Sequence, residues 1–425
     1  MSRRGGRVRA VLSVLVAWVA WVGGDVGGGA PAAWAARAAP AAPGREAAEL
    51  RVGAVSAVAP GVGYREFSLK GRHGPAHGHL LTVDLRERRV SVDVLYPGVV
   101  GARSRISQLA DARGAVGGVN GDFFNISEEQ HPGVEATGAP VGPAVAGGRA
   151  LKSAVPYGQR FGPETPRGVS TEDVLAVGTD RVARLDRLRA DGVVRAGEDE
   201  LELSGFNQYA IPVGGVGAYT SDWGSASRLR ATCGTDRDRA APCSRTTYEV
   251  TVRNGRVTAV SRRPGRGRVP RGTVVLVGRE GGARDLSRLE VGEEVEVTHR
   301  LRSREGGAPH CALGGFPVLR DGRAPAGLDA VTGAVRTAAG VADRGHRLYL
   351  LALDGRAAYR GGLTLAELAS AMRGLGAEDA FNLDGGGSST LVTRDPHGGR
   401  ATVRNHPSGG AERAVANGIG VFLRN

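Results

Sequence analysis

The chain has 425 residues, 68 of them glycine, a formal net charge of +13 and only 5% aromatic residues. Its 56 basic residues are arginine apart from Lys70 and Lys152, and no basic run is interleaved with aromatics, which argues against nucleic-acid binding. The excess charge favours an anionic substrate or a polyanionic cell surface, and nothing in the spacing of Cys and His resembles a zinc site.

The first residues carry Arg3, Arg4, Arg7 and Arg9, then an apolar run over 10–22, then Ala33-Trp34-Ala35 as a small-x-small cleavage site. This predicts a secretory signal peptide over 1–35 and a secreted or envelope-associated mature chain. A retained N-terminal anchor is the alternative, although the run is shorter than the roughly 20 residues of a membrane span. Residues 36–74 read as an Ala/Pro/Gly-rich linker and lead-in segment. The chain from residue 75 onward is long enough to bury one large core or two ordinary ones.

Residues 80–85 and 90–95 are predicted as paired strands joined by a charged turn at 86–89, with Val90, Val92 and Val94 alternating as in a half-buried strand. A further apolar run, 115–119, leads into Asn120-Gly121-Asp122. The Gly/Pro-rich stretch 127–168 lacks periodicity and predicts long loops over a site. Between 200 and 300 the pattern is β-rich. Asn254-Gly255 between the runs 248–252 and 257–260 is a strong hairpin signal. Cys233 and Cys243 flank a short polar loop and are expected to form a disulfide in an exported chain, leaving Cys311 as a buried structural thiol.

Residues 348–353 form an apolar run ending in Asp354-Gly355. From Thr364 the positions Leu365, Leu368, Ala369, Met372 and Leu375 recur at helical spacing, with Thr364 and Glu367 as a capping box. Strand, helix and the strand 380–383 predict a βαβ unit that sets Asp354 and Asp384 near one carboxyl edge, where ligands favour α/β sheets. Asn382-Leu383-Asp384-Gly385-Gly386-Gly387-Ser388-Ser389 is the most chemically suggestive segment. It sets two polar side chains at a strand end and adds glycines that let an anionic ligand approach backbone N–H groups.

Five ordered motifs run along the chain: Gly118-Val119-Asn120-Gly121-Asp122-Phe123-Phe124; Leu313-Gly314-Gly315-Phe316-Pro317-Val318-Leu319 with Asp321-Gly322; Arg336-Thr337-Ala338-Ala339-Gly340-Val341; the Asn382 segment; and Glu412-Arg413-Ala414-Val415-Ala416-Asn417-Gly418. Together they resemble the phosphodiester glycosidase family over residues 75–425, departing mildly at Val335 and Gly121. The resemblance implies an α/β (α+β) fold: a mixed β-sheet catalytic domain covered by helices, its halves at 75–199 and 301–425 separated by a β-rich insertion over 200–300. It implies hydrolysis of a sugar-1-phosphodiester, GlcNAc-like by the family's substrate, with no stable transmembrane span and an undetermined oligomeric state. A non-catalytic glycan-binding wall protein and a phosphodiesterase attacking phosphorus are the alternatives.

Such a reaction needs a carboxylate near the anomeric carbon and positive charge near the departing phosphate. Asp384 is the first candidate carboxylate, with Asn382 on the same strand face, and Asp122 with Asn120 repeats the Asn-x-Asp spacing. A turn-capping role is the alternative for Asp122, and which carboxylate is nucleophile, base or orienter is open. Arg336 with Thr337 is the expected phosphate clamp, or else a surface arginine. Gly385, Gly386, Gly387, Ser388 and Ser389 could bind phosphate, but lack the Gly-Lys-Ser/Thr ending of a nucleotide loop. Glu412 and Arg413 are either further ligands or a mutual pair. No cofactor is required by this scheme. A divalent cation is left open: His73, His77 and His79 cluster, His77 and His79 on one strand face, but no further ligand spacing supports a metal site. Asp354 reads chiefly as a turn residue, with site support or cation binding beside Asp384 as the alternative.

Overall fold

The computed structural model describes residues 50–424, so the expected signal peptide and most of the linker lie outside the described residues. Among the described residues no helix is long and apolar enough to cross a membrane.

Among the described residues strands account for 41% and helices for 10%, so sheets cover one another more than helices cover them. The α+β class holds in this sheet-rich form. An eight-stranded sheet runs in the order Arg51–Val52, Val62–Gly71, Gly74–Asp84, Arg347–Leu353, Thr337–Ala342, Asp379–Leu383 and Phe316–Leu319, with Ser56–Ala59 also paired to Val62–Gly71. Every neighbouring pair in it is antiparallel. Residues 62–71, expected in the lead-in segment, therefore form a strand of this sheet, one place in from its edge.

The helix Leu365–Gly374 forms as its sequence dictates. Thr364 accepts from the Glu367 N–H and the Glu367 carboxylate accepts from the Thr364 N–H, completing the capping box. Its buried stripe is Leu365, Leu368, Ala369, Ala371 and Met372, each large side chain contributing roughly 1.5–3 kcal/mol of apolar burial. Strands Arg347–Leu353 and Asp379–Leu383 are parallel to one another, as expected, but they are not neighbours. Thr337–Ala342 lies between them, antiparallel to both. The small residues of that strand serve packing: a Cβ at Gly340 would meet Met372 Cε at 2.5 Å.

A five-stranded antiparallel sheet packs alongside, in the order Ala401–Val403, Leu391–Arg394, Gly117–Asn120, Gly418–Leu423 and Val90–Leu95. Residues 80–85 and 90–95 are thus not a hairpin. The first belongs to the eight-stranded sheet and the second pairs with Gly418–Leu423, because residues 86–89 carry the chain from one sheet to the other. A third, seven-stranded sheet contains Ala183–Ala196, Asp173–Gly178, Pro309–Gly314, Ala144–Ala146 and Arg149–Lys152, with Glu296–Ser303 along the edge of the long strand Ala183–Ala196. Between residues 205 and 279 lies a separate five-stranded sheet, in which Thr247–Arg253 and Arg256–Ser261 form the expected hairpin with Asn254 and Gly255 both at positive φ. Cys233 and Cys243 are joined as a disulfide, and Cys311 is a buried free thiol whose pKa burial raises.

Candidate active site

Asp384 directly follows the strand Asp379–Leu383, and Asp122 lies two residues beyond Gly117–Asn120 in the neighbouring sheet. The backbone stitches these ends together: the Asp384 N–H donates to the Gly121 carbonyl at 2.9 Å, and the Asp384 carbonyl accepts from Asn120 Nδ2 at 2.6 Å. Asn120 is fully buried. Its Oδ1 accepts from the Thr337 hydroxyl at 2.8 Å and the Thr390 N–H at 3.0 Å. Asn120 and Thr337, expected to face a ligand, therefore act as buckles between the two sheets, and Thr337 is itself fully buried beside Ser389, 3.1 Å away.

Asp122 is buried where three sheets meet. The Gly142 N–H donates to its Oδ2 at 2.6 Å, and the Asn417 carboxamide oxygen accepts from its backbone N–H at 2.9 Å. Gly142 and Gly314 must lack side chains here, since a Cβ on either would press against Asp122 Oδ2. This gives the Leu313-Gly314-Gly315 motif a physical reason. Burial pushes the Asp122 pKa well up; Lys152 and the Gly142 N–H oppose the shift, and the charge of Asp384 adds to it.

Motif reasoning on the sequence misses Lys152. It is fully buried, with Nζ donating to the carbonyls of Val141 at 3.2 Å, Gly142 at 2.5 Å and Ser153 at 2.5 Å, and burial lowers its pKa against the pull of Asp122. The composition carries the signal that could have found it. Of the two lysines in an otherwise arginine-only chain, Lys70 is exposed, while at Lys152 one compact ammonium satisfies three converging carbonyls, a geometry that a planar guanidinium does not match.

Asp384 is half-buried. Burial pushes its pKa up to about 6, against the Ser388 hydroxyl, the Arg413 charge and the Gly385 N–H, which favour the carboxylate. The glycine loop is required by crowding: a Cβ at Gly385 would meet the Val335 carbonyl at 2.5 Å, a Cβ at Gly387 would enter the Arg413 guanidinium, and Gly386 has φ +59. Arg413 is exposed, with Nη1 donating to Ser388 Oγ at 3.3 Å, so it is the cation placed over this loop.

Glu412 turns away from Arg413. Its carboxylate accepts from the Ser107 N–H at 2.8 Å and the Ser107 hydroxyl at 2.5 Å, capping the start of the helix Ile106–Arg113. Arg336, expected as the phosphate clamp, is buried; its Nε donates to the Leu363 carbonyl at 3.0 Å and its Nη2 to the Thr332 carbonyl at 3.1 Å. Its guanidinium ties loops together, which leaves Arg413 as the candidate for the clamp.

Among the described residues, several buried polar atoms lack a protein partner: both carboxamide atoms of Asn382, Asp122 Oδ1, Thr390 Oγ1 and Asn417 Nδ2. These five lie around the two aspartates, while Arg65, Gln208, Thr273, Arg279 and His299 each have one such atom elsewhere. Buried polar atoms normally have partners, so such a concentration marks places for ordered water or a substrate hydroxyl. Asp354, read chiefly as a turn residue, is buried and bonded to His77, His79 and His406. His73 instead lies 2.6 Å from the Val331 carbonyl, apart from that cluster.

The protein is a sheet-rich α+β one that brings two carboxylates with raised pKa, Asp122 and Asp384, to one sheet seam. Residues 246–422 match the phosphodiester glycosidase family. The matched span contains Asn382, Asp384, the glycine loop and Arg413; Asp122 and Lys152 precede it. No curated protein matches the sequence. A hypothetical protein from Synechocystis shares the fold at a TM-score of 0.67 and 20% identity, over 89% of this chain and 68% of that one. A protein described as exported, from Burkholderia pseudomallei, does so at 0.66 and 20%, over 89% and 97%. The pro-peptide-inhibited catalytic domain of zebrafish N-acetylglucosamine-1-phosphodiester alpha-N-acetylglucosaminidase aligns at 0.43 and 15%, over 88% of each chain.

Proposed function

We propose that the protein is an exported hydrolase that cleaves a sugar-1-phosphodiester at the anomeric carbon, releasing the sugar and a phosphomonoester. The observation that carries this reading is the pairing of Asp384 with Asp122 at one sheet seam, beside an arginine and a glycine loop, within a chain that matches the phosphodiester glycosidase family. Asp384, the more readily ionised of the two, is the carboxylate at the anomeric carbon. Asp122, held toward its protonated form by burial, is the proton-carrying partner. Arg413 and the Gly385–Ser388 backbone and hydroxyl groups receive the departing phosphate, which is a good leaving group and asks little of a general acid. Asn382 orients a hydroxyl or water at the reacting centre. The formal net charge of +13 supports an anionic envelope or exopolysaccharide substrate. A GlcNAc-like sugar is the one the family's substrate suggests.

Asp384→Asn separates this reading from a glycan-binding protein without turnover. With a GlcNAc-alpha-1-phosphodiester, the variant should lose at least about a thousandfold in kcat while still binding the substrate. Equal turnover in wild type and variant would remove Asp384 from the chemistry.

A further inference from the structure

A second polar cluster lies along the same sheet edge, two strands from Asp384. The adjacent strands Gly74–Asp84 and Arg347–Leu353 bring together His77, His79 and Asp354, residues nearly 280 positions apart in the chain. Asp354 Oδ2 is 2.8 Å from His77 Nδ1, and Asp354 Oδ1 is 3.2 Å from His79 Nε2. The three groups each offer one ligand atom within 4.8 Å of the others. Ligand atoms on a tetrahedral zinc ion with bonds of about 2.0–2.1 Å lie about 3.3 Å apart, so small adjustments would close these three around one ion.

The far side of each ring is arranged as metal-ligating histidines require. His77 Nε2 faces Glu66 Oε2 at 3.5 Å. His79 Nδ1 lies 2.8 Å from the Tyr64 hydroxyl, which donates to Glu66 Oε1 at 3.0 Å. With the Tyr64 proton given to Glu66, the Tyr64 oxygen is free to accept from His79 Nδ1–H. That tautomer leaves the Nε2 lone pair directed at a carboxylate, an arrangement that a cation between them would stabilise.

The hydrogen bonds of the carboxylate point the same way. Asp354 Oδ1 already accepts from the His406 backbone N–H at 2.6 Å, and His406 Nδ1 lies 3.2 Å away. The Arg356 guanidinium donates to His406 Nε2, which fixes the proton of neutral His406 on Nδ1, toward Asp354. Two donors from His406 fill Oδ1, and a third proton from His79 would be surplus. Asp354 and His79 are buried and His77 is partly exposed, with Tyr359 stacked on its ring at 5.6 Å. A buried centre with one exposed ligand has a path for an ion to enter.

We infer that His77 Nδ1, His79 Nε2 and the Asp354 carboxylate form a binding site for a divalent transition metal of the zinc class, oriented by Glu66, Tyr64 and His406. Two imidazoles and a carboxylate suit zinc or cobalt better than calcium or magnesium, which prefer oxygen ligands. The site is mechanically linked to the glycine loop. The His406 carbonyl accepts from the Gly355 N–H at 2.7 Å, Asn405 bonds the Leu353 and Ser389 carbonyls, and Ser408 donates to the Gly386 carbonyl at 3.2 Å. The inference is independent of the proposed reaction.

The test uses the full secreted chain, stripped with a chelator and titrated with Zn²⁺ and Co²⁺ by calorimetry, with bound metal counted by mass spectrometry. His77→Gln and His79→Gln keep a polar amide of similar reach beside Asp354 but remove the imidazole. Wild type should bind about one equivalent, each variant at least about 100-fold more weakly, and cobalt should show a visible spectrum of nitrogen ligation that the variants lose. Circular dichroism of the variants, matching wild type, makes the comparison valid. No stoichiometric metal in wild type, or equal affinity in both variants, would overturn the assignment.

Discussion

Asp384 carries two predictions with opposite consequences. Its folded pKa, about 6, lies above the ordinary aspartate value because burial disfavours the charge. A raised carboxyl pKa means that the folded protein holds its proton more tightly than the unfolded chain. Its stabilising effect is therefore complete below the unfolded pKa and is lost as pH rises through about 6. Asp384→Asn should match wild type in urea unfolding near pH 3 and exceed it at pH 8, by on the order of 2 kcal/mol after discounting for solvent screening. Activity runs the other way. If ionised Asp384 performs the chemistry, kcat/KM should rise with pH through about 6, and a flat profile from pH 5 to 7 would contradict that role. The arginines divide similarly. Arg413→Ala should raise KM or lower kcat about 10- to 100-fold with little change in stability, while Arg336→Ala should lower the melting temperature, since it removes the buried guanidinium that ties Leu363 to Thr332. The reverse pattern in paired kinetic and thermal measurements would restore Arg336 as the phosphate ligand.

At the scale of elements, local signals are legible in the sequence and long-range ones are not. The Thr364 capping box, the Asn254-Gly255 hairpin and the parallel relation of strands Arg347–Leu353 and Asp379–Leu383 follow from short patterns, and each is present. The strand Thr337–Ala342 between them is hidden, because Ala338, Ala339 and Gly340 look like a ligand-approach loop until the packing of Met372 is known. The partners of Arg336, Glu412 and Asp354 come from other elements, and no spacing rule links positions brought together by sheet order. The loops over 127–168 show the same limit. Their sequence suggests lids over the site, yet a buried network fixes them: Glu128 pairs with Arg230 and lies 2.6 Å from His131 Nδ1, and Arg230 donates to Gln159 at 2.9 Å. Arg230→Ala should cost about 3–5 kcal/mol in urea unfolding, because it removes the buried guanidinium that neutralises the Glu128 carboxylate. A loss below about 1 kcal/mol would show that water can replace the pair.

At the scale of the molecule, the candidate site belongs to no single sheet. Asp384 comes from the end of a strand of the eight-stranded sheet, Asp122 from beyond a strand of the five-stranded sheet beside it, and Gly314 from a strand of the seven-stranded sheet, with Gly142 just before another of its strands, both closing over Asp122. Distant parts of the chain must be folded together before the two carboxylates meet, which is why the five sequence motifs are so widely spaced. The central claim is that this seam directs attack to the anomeric carbon. The most direct test is product mass spectrometry after incubating the purified protein with a GlcNAc-alpha-1-phosphodiester in water enriched in oxygen-18. Label in the released sugar, with an unlabelled phosphomonoester, is the predicted result. Label in the phosphate would place the attack at phosphorus and contradict the account.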